Sequence, residues 1–321
     1  MGLTGAPPNF AGELRLHGSE LPLHPRPQVS AVIVTYNPSL DQLGRLVDAV
    51  SPQVDHLFII DNGSSGDIEG WVARQKAAIH FTALGENYGI AYAHNVGIGQ
   101  ARIEGSDYVL LLDHDSLPAP DMVARLVEAA EAKRAEGVRV AAVGPRYMDD
   151  RQRNPVPFIR IDGLRLVRGT CDSPKAIIEV DYLISSGCLI SITALEAVGG
   201  MCEDLFIDYV DIEWGLRARH QGFYSFGVCA ARMHHLLGEE PIYFLKRHIP
   251  VHSPLRHYYH FRNAVWLYRQ SWPRTNWKIV DGLRLARKFV FYSLVTPPRL
   301  KHAGMMALGI AHGLSSRMGK K

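Results

Sequence analysis

The sequence predicts an α/β fold in which a mainly parallel sheet is covered by helices on both faces. Two observations lead there. Short apolar runs rich in β-branched residues alternate with stretches of helical periodicity, the pattern of successive βαβ units. Three of those runs also end in polar, turn-forming clusters: Thr35-Tyr36-Asn37, Asp61-Asn62-Gly63-Ser64 and Asp113-His114-Asp115.

Taken in order, Val29–Thr35 (VSAVIVT) is a compact apolar run stopped at Asn37-Pro38, which suits a buried strand. Leu40–Val50 carries Leu43, Leu46, Val47 and Val50 at helical spacing. Residues 56–60 read as a second strand and 77–84 as a third. The alanine-rich stretch 88–103 reads as a helix, and 108–112 is an apolar strand running into Asp113. A further apolar region, 180–192, holds Ser185-Ser186-Gly187, and a helix is expected over about 211–221. Residues 243–269 are crowded with aromatic, histidine and arginine side chains, and the final 50 residues are basic and apolar together. No internal repeat is present. In open α/β sheets ligands bind beyond the carboxyl ends of the strands, so the three polar clusters should line one crevice suited to a nucleotide-like ligand.

Composition narrows the classes. At 321 residues, 47% hydrophobic and 21% charged, the chain can bury a large core. A net charge of +3 makes no case for nucleic acid. The four cysteines (Cys171, Cys188, Cys202, Cys229) form no C-x-x-C pair, so they read as reduced, buried thiols of a cytosolic protein without a disulfide framework or zinc site. Residues 1–28 look like an irregular leader, with no continuous apolar region of the kind a secretory signal needs. No stretch reaches the roughly 18 apolar residues of a membrane span; the nearest, 302–316, is short, contains glycine and carries two histidines. The expectation is a cytoplasmic protein, soluble or peripheral at the inner face of the membrane.

Two acidic groups carry chemistry. Asp113 and Asp115 stand one residue apart directly after an apolar strand, so both can reach a single divalent cation; Mg²⁺ and Mn²⁺ favour such oxygen ligands together with substrate phosphates. The competing account of an isolated Asp-x-Asp is an acidic turn. The second group, Asp208, Asp211 and Glu213, lies among aromatic residues before Arg217 and Arg219. Acids there suit a helix N-terminus, and a carboxylate at a helix start is also well placed as a general base.

At this point the residues resemble the family 2 glycosyltransferases of the GT-A fold, and among them bacterial rhamnosyltransferases. The resemblance runs from about residue 29 to 263. It rests on the ordered series Val34-Thr35-Tyr36-Asn37, Asp61-Asn62-Gly63-Ser64, Glu86-Asn87-Tyr88-Gly89-Ile90-Ala91, Asn95-Val96-Gly97, Leu112-Asp113-His114-Asp115-Ser116, Gly187-Cys188-Leu189-Ile190 and the stretch from Asp208 to Arg217. It implies a Rossmann-like, mainly parallel nucleotide-diphospho-sugar transferase domain over 29–240, with a helical, basic C-terminal extension over 241–321. It also implies roles. Thr35 and Asn37 would hold the nucleotide and Asp61 its base or ribose; Asn87 and Gly89 would line the nucleotide-sugar site, with Asn95 in support. Asp113 would contact ribose or sugar, and Asp115 would ligate Mg²⁺ or Mn²⁺ bridging the diphosphate. Asp211 matches the family's catalytic base, although Val210 replaces the Glu usual before it and Asp208 is a rival. His235 resembles the histidine that completes the metal site, with His234 adjacent. Arg256 and Arg262, in Arg-His-Tyr-Tyr-His-Phe-Arg-Asn, resemble a rhamnosyltransferase segment; arginine suits the diphosphate of the donor or of a lipid-linked acceptor. The other account of that segment is an amphipathic helix with its aromatics packed inward.

The function expected is metal-dependent, inverting transfer of a deoxyhexose, L-rhamnose from dTDP-rhamnose, to a saccharide or lipid-linked saccharide acceptor of a surface polysaccharide. A UDP-sugar donor is the first alternative. A nucleotidyltransferase would need a glycine- and basic-rich phosphate loop that Val34-Thr35-Tyr36-Asn37-Pro38 does not offer, and a dehydrogenase would need a third glycine where Arg102 follows Gly97-Ile98-Gly99. A non-catalytic sugar-binding protein is the remaining alternative. The basic C-terminal region is expected to serve either as a peripheral membrane contact or as a packing face, including that of a homodimer.

Overall fold

The computed structural model describes residues 26–148, 157–235, 242–244, 247–249 and 252–321. The expected leader therefore lies almost wholly outside the described residues. Elements follow in the order β1 (Val29–Thr35), α1 (Leu40–Val50), β2 (His56–Asp61), α2 (Ile68–Val72), β3 (His80–Ala83), α3 (Ile90–Ile103), β4 (Tyr108–Asp113), β5 (Ser116–Pro118) and α4 (Met122–Ala135). Next come β6 (Val140–Met148), β7 (Phe158–Asp162), β8 (Arg165–Gly169), β9 (Ile177–Val180), β10 (Cys188–Ser191), α5 (Ile192–Val198), α6 (Val210–His220) and β11 (Tyr224–His235). The chain ends with β12 (Ile242–Phe244), β13 (Arg247–Ile249), α7 (Pro254–Arg269), α8 (Thr275–Leu294) and α9 (Arg299–Leu314).

The main sheet has the order β3-β2-β1-β4-β10-β6-β11-β5, with β9 beside β11. Strands β1 to β4 pair in parallel, and β10 inserts antiparallel between β4 and β6. This is a GT-A-type α/β sheet followed by C-terminal helices. All of β1 is buried because both its faces are covered. Its residues alternate between two cores, as strand geometry requires. Val32 and Val34 join Phe58 and Ile60 under α3, α5 and α6, whereas Ala31 and Ile33 join Leu57 and Ile59 under α1 and α4. Parallel pairing brings the ends of β1, β2 and β4 to one edge: Thr35 lies opposite Asp61 and Val34 opposite Asp113.

The expected apolar region 180–192 is interrupted: β9 ends at Val180 and β10 starts at Cys188. Helix α7 opens at Ser253-Pro254, where the serine Oγ accepts the Arg256 N–H at 3.2 Å. Helix α9 crosses α7 closely enough that a Cβ on Gly309 or Gly313 would sit 2.5 Å from the carbonyl oxygens of Tyr258 and Arg262. No helix among the described residues is long and apolar enough to cross a membrane.

One expectation is overturned. Cys171 and Cys229 form a disulfide rather than staying reduced; Cys188 and Cys202 are free. The two sulfurs are 58 residues apart in sequence and meet because β9 pairs with β11, with Val228 opposite Ile177. Spacing along the chain carries no trace of that pairing, and the cysteines no longer argue for a reducing compartment.

Candidate active site

A cleft of about 570 Å³ opens at the carboxyl ends of β1, β2 and β4 and is closed on its far side by α6 and α7. A larger groove, about 810 Å³, lies between α4 and β11, but it contains none of the strand-end clusters. The chemistry-bearing side chains therefore point to the smaller cleft.

Its acidic wall holds Asp113, Asp115, Asp208 and Asp211. Asp113 closes β4, and its N–H donates to Ser186 Oγ at 3.3 Å in the turn before β10. Asp211 stands in the first turn of α6, where Oδ1 accepts the Ile212 N–H at 2.8 Å. Burial raises the Asp211 carboxyl to about 6, and the negative charges of Asp208 and Asp113 add to that rise against the Ile212 N–H. A carboxylate near pH 6 is poised to take a proton.

The loop before α6 is strained. Phe206, Asp208 and Tyr209 adopt φ of +65°, +61° and +64°, a region that costs side-chain-bearing residues of order 1 kcal/mol or more each. Residues of α7 hold it. Asn263 Nδ2 donates to the carbonyls of Leu205 (2.9 Å), Ile207 (2.8 Å) and Asp208 (2.8 Å). Arg262 Nη2 donates to the carbonyls of Asp204 (3.1 Å) and Leu205 (2.9 Å), while Nη1 donates to Gly319. From the opposite side the Phe206 carbonyl accepts the Ile90 N–H at 2.8 Å. Gly89, at φ +92°, lets that loop approach, because a Cβ there would lie 2.5 Å from the Phe206 oxygen. Tyr209 is buried with its hydroxyl donating to Asp281 Oδ2 at 2.6 Å, so α8 also anchors the loop.

Of the residues expected from sequence, Asn87, Gly89, Asp113, Asp115, Asp211 and Arg256 line this cleft. Thr35, Asn37, Asp61, Asn95 and Arg262 do not. Thr35 is fully buried and donates to Asp61 Oδ1 at 2.7 Å; Asp61 also accepts from the Ser64 N–H and hydroxyl. Asn37 Oδ1 accepts from Ser65 N–H at 2.9 Å, so these side chains brace the strand ends, and Tyr36 and Asn62 form the wall. Asn95 Nδ2 donates to the Met201 carbonyl, and its Oδ1 accepts the Met201 N–H. Arg262 is fully buried among backbone carbonyls, leaving no donor for a diphosphate. Glu213 is also buried, in an ion pair with Arg217 at 2.7 Å.

The main chain of His235 ends β11 opposite Ser116, next to Asp115, but its side chain lies outside the described residues. Among the described residues no three His, Cys, Asp or Glu side chains gather closely enough to hold a metal ion. The donor set of the cleft nevertheless suits a hard divalent cation: Asp113 and Asp115 offer oxygens, and the charges of Asp208 and Asp113 bear on Asp211.

Sequence reading passed over Asn62, Ser186, His252 and His260. Asn62 lay within a quoted motif and was recoverable from it. His252 comes from the loop just before α7 and His260 from its middle, and only the packing of that helix brings them to the cleft. His260 Nε2 lies 2.9 Å from Lys288 Nζ; burial lowers both groups, and the lysine charge further lowers the imidazole. Arg256 Nε sits 3.4 Å from Asp208, which places a cation on the same wall.

Strand-end carboxylates and a helix-start carboxylate share one cleft, and the chain belongs to the family 2 glycosyltransferases. Residues 30–178 match the family described as Glycosyl transferase family 2. The chain is 32% identical over 245 residues to the dTDP-rhamnosyl transferase RfbF of Shigella flexneri, covering 76% of this chain and 80% of that one. It is 27% identical over 274 residues to the galactofuranosyltransferase GlfT1 of Mycobacterium tuberculosis, covering 78% and 88%. Among solved structures it shares its fold with S. aureus TarS 1-349 (TM-score 0.56, 14% identity, 90% of this chain and 82% of that one). It also matches GalNAc-T7 with UDP, GalNAc and Mn²⁺ (TM-score 0.59, 12% identity, 91% of this chain), spanning 56% of that protein. The enzyme is a glycosyltransferase resembling rhamnosyltransferases.

Proposed function

We propose that this enzyme transfers L-rhamnose from dTDP-rhamnose, with inversion, to a saccharide acceptor of a surface polysaccharide, free or lipid-linked, at the cytoplasmic side of the membrane. The observation that carries the proposal is Asp211, raised to about 6, in the same cleft as Asp113 and Asp115. Asp211 takes the proton of an acceptor hydroxyl as that oxygen bonds to the anomeric carbon. The bond from that carbon to the diphosphate oxygen breaks, and the nucleoside diphosphate leaves with the electron pair. One base and one displacement invert the anomeric centre; by analogy with glycoside hydrolysis, retention would need a carboxylate nucleophile beneath it. Asp115, with Asp113 beside it and His235 at the end of the neighbouring strand, would hold Mg²⁺ or Mn²⁺. That cation would offset the charge developing on the leaving diphosphate. Asn87 and Gly89 line the sugar side, while Arg256 offers a cation to a diphosphate. The transferase domain is taken to end near residue 240, with α7 completing the cleft wall.

The rhamnose donor is supported by the likeness to RfbF. A UDP-sugar donor is the second reading, favoured by the folds shared with GalNAc-T7 bound to UDP and with TarS solved with UDP-GlcNAc. Incubation with dTDP-rhamnose, an oligosaccharide acceptor and Mg²⁺ or Mn²⁺ tests the proposal: a β- or α-glycoside of opposite anomeric configuration to the donor, with release of dTDP, is expected. A retained configuration overturns inversion. A thermal shift with UDP but not dTDP overturns the donor, since a ligand stabilises the fold it binds.

A further inference from the structure

Helix α8 has two unlike faces. Toward the protein it turns Trp277, Asp281, Leu285 and Tyr292, all buried, together with Lys288, which reaches His260. Toward the outside it turns Ile279, Leu283, Val290 and Leu294, which are 47, 56, 56 and 65% exposed. These four fall at i, i+4, i+11 and i+15, one stripe about 22 Å long at the helical rise. Past the corner that follows α8, in the first turn of α9, Leu300 is 90% exposed between Arg299 and Lys301. Single exposed leucines need no explanation, but a continuous stripe of this length does.

Charge decides what covers it. Asp281 is the last acidic side chain of the chain, and it is turned inward, accepting hydrogen bonds from Tyr209 and Tyr268. From Gly282 to Lys321 there is no Asp or Glu, whereas eight Lys and Arg are present. Arg287 lies on the stripe itself, beside Leu283, Val290 and Leu294. Arg287, Arg299 and Lys301 form no ion pair with the described residues. A second copy would bring a second set of the same cations against them, with no carboxylate from residues 282–321 to answer. An anionic lipid surface meets both features: acyl chains accept the leucines and headgroups accept the cations.

We infer that the outer face of α8 and the α8–α9 corner dock on a membrane surface carrying anionic lipids. The inner face of the same helix holds Tyr209 and His260, so docking places the cleft within about one helix diameter of the headgroups. This rests on the proposed function only for the side of the membrane; vesicle binding itself does not depend on catalysis.

The experiment is co-sedimentation of the full chain with vesicles of phosphatidylcholine alone or mixed with phosphatidylglycerol, alongside analytical ultracentrifugation and transfer to a soluble acceptor. Binding is expected only to the mixed vesicles and should fall with added salt. L283E/L294E/L300E, by removing apolar contact and adding charges that anionic headgroups repel, and R287E/R299E/K301E, by reversing three surface cations, should each weaken it at least about tenfold. Both variants should keep transfer to the soluble acceptor. Equal binding to neutral vesicles, or unchanged binding by both variants, overturns the inference. So does a dimer of the unaltered chain that the leucine variant converts to monomer without vesicle binding by either. Loss of transfer with vesicle binding intact would instead count against the catalytic reading.

Discussion

Asp211→Asn should make the enzyme more stable and inactive, and the gain should depend on pH. The carboxyl titrates at an ordinary 3.8 in the unfolded chain and at about 6 in the fold, a difference worth about 3 kcal/mol. A folded pKa above the unfolded one means that the folded state binds the proton more tightly. Stability from this group is full below about 4 and is lost as pH rises to 6. Asparagine keeps an acceptor for the Ile212 N–H but carries no charge, so it avoids that loss. Allowing for water in the cleft, about 2 kcal/mol of extra stability is expected at pH 7.5 and none at pH 4. Denaturant unfolding at both values, with chelator to exclude divalent cations, measures it. Transfer by the unaltered enzyme should rise through the Asp211 pKa and level off, whereas D211N should lose at least about 1,000-fold in kcat. A gain equal at both pH values would refute the raised carboxyl, and near-normal activity of D211N would refute the base.

Other consequences can be measured separately. Asp115→Ala should reduce transfer about 100-fold and weaken activation by Mn²⁺ in a titration, since several kcal/mol rest on charge offset at the diphosphate. Asn263→Ala removes the donor to the Ile207 and Asp208 carbonyls of the strained loop, while the Leu205 carbonyl keeps Arg262, so a loss of about 2 kcal/mol in stability and a fall in kcat are expected. Thr35→Val should act on stability more than on nucleotide affinity, because Thr35 touches Asp61 rather than the cleft. Replacing Cys171 and Cys229 by serine opens a 58-residue loop, which in the chain-entropy model costs about 4 kcal/mol and should lower the unfolding midpoint in denaturant.

The residues that line the cleft divide by how they are specified. Asp113 and Asp115 were legible because a buried parallel strand is a continuous apolar run, and its end is marked by the first polar side chains. Asn87 and Gly89 were legible as part of an ordered motif. The motifs also drew attention to Thr35 and Asp61, which brace the strand ends, since adjacent residues there face opposite ways and sequence does not say which way is the cleft, and to Asn95, which α3 turns toward Met201. Arg262 misled for a related reason. A guanidinium offers the same five donors to a diphosphate or to backbone carbonyls, and only the crossing of α7 over the 204–208 loop selects the carbonyls.

The sequence by itself determined the βαβ order, the strand ends and the acidic pair, because these follow from local periodicity and from where apolar runs stop. Tertiary structure alone decided what joins elements distant in the chain. It placed Asp211 opposite Asp113, clamped the left-handed loop with Asn263, bonded Cys171 to Cys229 and turned the apolar stripe of α8 outward. Each of those depends on contacts between segments dozens of residues apart, whose pairing is set by the packing of the whole sheet and its helices.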